Sequence, residues 1–284
     1  MVRIGMVNYI NTATLYEEWK AEVHNPDWRI TEAPPSTLNR LLAADRLDLG
    51  IVSCYEYAAR PDRYRILAGL SISANGPVGS VFLFSRVPAE ELTGRLVLLT
   101  GQSETSVALV KIILEEFYGI RPAYTVGEIY DPRSYDKQEV SAVLAIGDEA
   151  LRLDIEQAYP FQLDLADVWN KTTGLPFVFA VFAVRREFIR SRPETLREIH
   201  RLLLVCRDRG RKNLDAVCRR VAPRIPMGVD SCRRYLHKIQ HQLDPEHLQA
   251  LERFFGYLIM RGDVSHHALP LKLYPANGNA NARV

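Results

Sequence analysis

Ser103, Thr105 and Ser106 stand just beyond an apolar run at residues 96–99 and the pair Gly101-Gln102. If a strand ends at Leu99 and a helix begins at Glu104, the first-turn amides of that helix lack carbonyl partners and point past the strand end. Amides and short hydroxyls together make a cradle for a carboxylate or a phosphate. A helix cap needs only one such hydroxyl, so capping and anion binding both stay open here.

Polar turns of the same kind close other apolar runs. Asn75-Gly76-Pro77-Val78-Gly79-Ser80 enters a strand-like stretch, and Gly79 leaves backbone accessible beside the hydroxyl and amide of Ser80. Asn8-Tyr9-Ile10-Asn11 follows the first apolar run, where an Asn can equally close a local turn. Ser53-Cys54-Tyr55-Glu56 follows the third. Asp148, after Ala145-Ile146-Gly147, either orients a ligand hydroxyl or caps the next helix. Cys54 reads as a nucleophile or as a small buried residue at a helix start. His237 and His241 share a helical spacing but lack the flanking pattern of a metal site, and no P-loop, G-x-G-x-x-G or G-x-S-x-G motif occurs. No metal or cofactor is expected.

The elements that must hold these turns alternate. Strands are expected over residues 2–7, 28–32 and 47–52, with helices over 12–20 and 36–44, the latter capped by Ser36 behind Pro34-Pro35. A second series has strands over 96–100, 123–126 and 142–146, a helix over 104–118 and another starting at Asp148. Apolar strands over 64–72, 80–85 and 177–185 read as crossings between the two series. After Glu187 the pattern is helical, with Leu196, Ile199, Leu203 and Cys206 on one stripe and a further helix over 247–259. The tail ending in Ala276-Asn277-Gly278-Asn279 is expected to be poorly ordered. Alternation of this kind gives two α/β lobes, residues 1–86 with 186–284 and an inserted 87–185, around a cleft where strand ends and helix starts meet.

Composition narrows the class of partner. With 36 Lys and Arg against 34 Asp and Glu, the net charge of +2 favours neither nucleic acid nor an anionic membrane as partner. Four dispersed cysteines suggest neither a zinc site nor a disulfide framework, and suit a reducing cytoplasm. The interspersed acids make the Arg-rich block at 185–220 a solvated helix surface. No apolar run approaches the ~20 residues of a membrane span, and a soluble protein without a signal peptide is expected.

Taken in order, the segments Arg3–Asn11, Gly76–Ser80, Ser103–Leu109, Ala145–Leu151 and Trp169–Ala180 resemble the chorismate dehydratases (MqnA) of the futalosine route to menaquinone. The resemblance covers most of residues 1–185. It implies a type II periplasmic-binding-protein-like fold with an interlobe cleft and C-terminal helices. It also implies a cytoplasmic hydro-lyase that converts chorismate to 3-[(1-carboxyvinyl)oxy]benzoate. On that resemblance Asn11 and Ser80 are the catalytic candidates, and Ser103, Thr105 and Ser106 hold a carboxylate; Ser53, Gly79 and Asp148 join them as substrate-binding candidates because they stand in the strand-end turns. The rival expectation is a non-catalytic binding or sensing protein for an organic acid, because the fold serves both purposes. A homodimer is left open.

Overall fold

The computed structural model describes residues 1–130, 139–225 and 227–275. The expected disorder of the tail from Ala276 onward lies outside these residues.

The first sheet gathers β1 (Val2–Met6), β2 (Trp28–Glu32), β3 (Leu49–Ser53) and β4 (Tyr64–Ala74) from the start of the chain. The second holds β5 (Val81–Ser85), β6 (Leu96–Thr100), β7 (Ala123–Gly127), β8 (Val140–Ile146) and β9 (Phe161–Asp164). β10 (Phe177–Arg185), β11 (Ile239–Gln240) and β12 (Leu273–Tyr274) return to the first sheet, whose order is β11-β4-β10-β3-β1-β2, with β12 paired to β4. The second sheet has the order β7-β6-β8-β5-β9.

Both sheets follow one plan. In the first, β1 runs parallel to β2 and β3, and β10 enters antiparallel between β3 and β4. In the second, β6 runs parallel to β7 and β8, and β5 pairs antiparallel with β8 and β9. The near-continuous apolar runs of β3, β5 and β10 fit strands covered on both faces. Since β5 lies in the second sheet and β10 in the first, the chain passes between sheets within 75–80 and 165–176. Both passages precede the boundaries expected at 86 and 185.

Helices fill the faces. They are α1 (Ala13–Glu22), α2 (Pro35–Ala43), α3 (Cys54–Ala59), α4 (Glu104–Ile112), α5 (Gly147–Glu156) and α6 (Leu165–Thr173). The last third adds α7 (Arg186–Ser191), α8 (Pro193–Lys212), α9 (Leu214–Val221), α10 (Val229–Lys238) and α11 (Pro245–Met260). The α8 stripe expected to face inward is buried at Leu196, Ile199, Leu203 and Cys206. Gly210 lets α8 meet α1 closely, since a Cβ there would sit 1.4 Å from the Thr14 carbonyl oxygen. That contact anchors α1 directly behind the turn that carries Asn11.

Two local expectations need correction. Ser36 caps nothing: α2 starts at Pro35, and the Ser36 amide instead donates to the Gln102 carbonyl at 3.2 Å. Pro at the first helical position needs no capping partner for a missing N–H. Strand β9 and helix α6 were not anticipated, although Asp164 ahead of Leu165 and Trp169 is a good helix-start signal. Its carboxylate accepts from the amides of Ala166 and Asp167.

Candidate functional site

Four strand ends meet between the sheets. Asn11 sits in the 3-10 turn Ile10–Thr12 after β1, Ser53 at the end of β3, Ser80 just before β5, and Ser103 with Ser106 after β6. All five line one narrow cavity of about 50 Å³, walled by apolar groups such as Val7, Ile51, Ile72 and Phe179 and joined by Tyr9 and Gly147. Among the described residues, no Lys, Arg, His, Asp or Glu lines it.

The serine hydroxyls are held as helix caps or by neighbouring elements, and Asn11 Oδ1 is not. Ser103 caps α4, its Oγ accepting from the Ser106 amide at 3.2 Å and donating to Ser106 Oγ at 3.1 Å. The hydroxyls expected to cradle an anion are therefore also the ones that cap the helix. Ser53 caps α3 in the same way, and also accepts from Asn39 Nδ2 at 2.8 Å. Asn11 differs: among the described residues, its Oδ1 is the buried side-chain oxygen without a hydrogen-bond partner. A buried carbonyl of this kind ordinarily has a donor, and Asn11 is one of the residues that line the cavity.

The turn before β5 is tied down by a residue whose role was not foreseen. Asp164 accepts from the Gly79 amide at 2.7 Å and the Val78 amide at 3.2 Å while it caps α6. Gly79 thus spends its amide on Asp164, and it does not line the cavity. Ser80 in turn accepts from the Gly147 amide at its carbonyl, 2.7 Å away, and from the Tyr235 phenol at its Oγ, 2.9 Å away.

Two further candidates lie off the cavity. Thr105 is fully buried, and its Oγ1 accepts from the Tyr55 amide at 3.1 Å, joining α4 to α3. Asp148 Oδ1 accepts from the Ile10 amide at 3.2 Å, and helix α5, which begins one residue earlier, has no side-chain cap. Asp148 is a clasp between the turn after β1 and the start of α5. Cys54 is the buried alternative: burial pushes its thiol up to about 12, and its Sγ donates to the Val178 carbonyl at 3.1 Å.

Further bonds cross between the two sheet-bearing parts. Tyr9 donates to Gln102 Oε1 at 2.8 Å, and Asn39 Nδ2 reaches Glu104 Oε2 at 2.9 Å. Burial, with Asp148 nearby, raises the Tyr9 phenol to about 12, so it stays a neutral donor. Gly147 makes room for that ring: its φ is +57°, and a Cβ at this position would lie 3.0 Å from Tyr9 Cδ2. Behind Asn11, His241 Nε2–H donates to the Asn11 carbonyl at 2.8 Å. Neither Tyr235 nor His241 carries a local motif that would have marked it.

A larger opening of about 460 Å³ lies on the far side of residues 236–242, edged by Arg207, Arg211 and His237. None of the strand-end turns reaches it. The small cavity is the better candidate because helix starts and hydroxyls converge there.

Two α/β sheets closing on a shared cavity, with strand ends and helix starts facing it, define the two-lobed fold of periplasmic binding proteins. Solved structures agree. A protein from Archaeoglobus fulgidus superposes with a TM-score of 0.72 at 20% identity, covering 93% of this chain and 98% of that one. The alkanesulfonate-binding protein SsuA of Xanthomonas axonopodis, bound to MOPS, gives 0.69 at 12% identity, covering 97% and 98%. The chain belongs to the menaquinone biosynthesis family, whose model matches residues 2–259. A chorismate dehydratase of Thermus thermophilus is 34% identical over 202 residues, which is 65% of this chain and 70% of that protein. One from Campylobacter jejuni is 26% identical over 261 residues, 88% and 94% of the two.

Proposed function

We propose that this protein is a chorismate dehydratase, acting in the cytoplasm on the futalosine route to menaquinone. The observation that carries the reading is Asn11, whose buried Oδ1 has no partner among the described residues and which lines a cavity with Ser80, Ser103 and Ser106. The named relatives supply the substrate, and the four buried free cysteines suit a reducing compartment.

Chorismate is a dianion, yet among the described residues no cationic side chain lines the cavity. Its carboxylates are held instead by hydroxyls and by the amides opening α4, where the helix dipole favours negative charge. Ser103 and Ser106 hold one carboxylate. Asn11 and Ser80 face the ring and the leaving hydroxyl.

The reaction breaks the C3–H and C4–O bonds. The electron pair of C3–H completes the aromatic ring, and the C4 hydroxyl leaves with a proton as water. Among the described residues no Asp, Glu, His or Lys lines the cavity, so a carboxylate of the substrate is assigned the C3 proton. Aromatisation supplies the driving force, and the protein orients the bonds and excludes bulk water. The cavity is smaller than the ~300 Å³ at the low end of ligand pockets. The two lobes therefore open by a hinge to admit substrate, parting the Tyr9–Gln102 and Asn39–Glu104 bonds.

Incubating the purified protein with chorismate and following the aromatic product by chromatography tests the reading. Turnover that Asn11→Asp and Ser80→Ala each lower strongly but measurably is the expected result. A tight chorismate complex without product would make the protein a binder, as the fold likeness to binding proteins allows.

A further inference from the structure

We propose that Tyr235 is a positioning residue for this dehydration, directing the hydroxyl hydrogen of Ser80 into the cavity. The inference rests on the dehydratase reading of the cavity.

The backbone around Ser80 is already fixed on both sides. Asp164 holds the amides of Val78 and Gly79, and the Gly147 amide holds the Ser80 carbonyl. What remains free is rotation of the hydroxyl. Tyr235 removes that freedom: its phenol lies 2.9 Å from Ser80 Oγ, with Ser80 1% exposed and Tyr235 5%. A serine oxygen that accepts from a phenol keeps its own hydrogen for another acceptor. Because Ser80 lines the cavity, that acceptor is a substrate oxygen. A donor aimed before substrate arrives costs no reorientation during the reaction.

The segment that delivers Tyr235 also supports the other catalytic candidate. Helix α10 runs directly into β11, which pairs with Ala74 and Ser73 of β4, and the next residue, His241, donates to the Asn11 carbonyl. One stretch of the helical last third therefore braces both turns from outside the cavity.

Chorismate kinetics of the wild type, Tyr235→Phe, Ser80→Ala and the double variant test the proposal, with urea unfolding to check that each protein folds. Tyr235→Phe is expected to lower kcat about three- to tenfold, as for loss of one neutral hydrogen bond, with KM changed less than about twofold. In the Ser80→Ala background the same change is expected to leave kcat within about twofold. An equal loss in both backgrounds, or a wild-type kcat in Tyr235→Phe, overturns the proposal. Should the Phe variant fail to fold, 3,5-difluorotyrosine at position 235 keeps the ring and strengthens the donor; an unchanged kcat then counts as the overturning result. A wild type that yields no product removes the dehydratase reading, and this inference with it.

Discussion

Protonation of His241 should cost this fold stability in mild acid, by an amount its burial sets. The ring is enclosed and neutral: Nε2–H donates to the Asn11 carbonyl, and Thr14 Oγ1 lies 3.2 Å from Nδ1 as donor to it. Burial, opposed by the bond to Asn11 and helped by Arg207 and Arg211, lowers its pKa from 6.5 to about 4. The unfolded chain takes up this proton near 6.5, and the folded chain only near 4. Between those values the unfolded state holds more protons, so stability falls as pH falls. Above pH 6.5 the contribution of His241 is complete.

One proton corresponds to ~1.4 kcal/mol per pH unit, so the full window is worth about 3 kcal/mol. Urea unfolding of the wild type and of His241→Gln at steps from pH 7.5 to 4.5 reads the effect. Glutamine offers an amide donor to Asn11 but does not titrate in this range. The wild type should lose up to ~1.4 kcal/mol per unit more than the variant in the window, while other titrating groups, including His200, cancel in the difference. Parallel curves would show that His241 does not carry this linkage, and the account of a neutral imidazole bracing the Asn11 turn would fail.

Substitutions at four other positions separate the roles assigned around the cavity. Thr105→Val removes the acceptor of the Tyr55 amide and should cost ~1–3 kcal/mol in urea unfolding while leaving KM for chorismate unchanged; Ser106→Ala should instead raise KM several-fold. Asp148→Ala leaves the buried Ile10 amide without its acceptor, at a cost of ~1–3 kcal/mol by thermal or urea unfolding, whereas Asp148→Asn keeps an acceptor and should lose less. Gly147→Ala forces a side chain into a left-handed conformation 3.0 Å from the Tyr9 ring. A stability loss of ~1–2 kcal/mol together with a lower kcat is expected, read by unfolding and chorismate kinetics.

What could be read in advance depended on whether the cause was local. Apolar runs and their polar ends are local, so β1, β3 and β6, and the turns carrying Asn11, Ser53, Ser80 and Ser103, follow from the chain itself. Position around a helix is finer. Thr105 and Ser106 differ by one step of ~100°, and that step decides between the contact with Tyr55 and the cavity. Hydroxyl chemistry alone does not choose between them. Asp148 poses a related difficulty: capping and ligand binding are both strand-end roles, whereas its partner, the Ile10 amide, comes from 138 residues away.

Tyr235 and His241 lie beyond any local signal. Their partners are 155 and 230 residues distant, Ser80 and the Asn11 carbonyl. An amphipathic helix announces that one face is buried and is silent about where the polar tip of a buried tyrosine will end. Such a tip needs a partner once enclosed. In this fold the groups available to meet it belong to turns at the cavity, so the helices that complete the first lobe also constrain its chemistry. For that reason substitutions in α10 should act on turnover, although no residue of that helix lines the cavity.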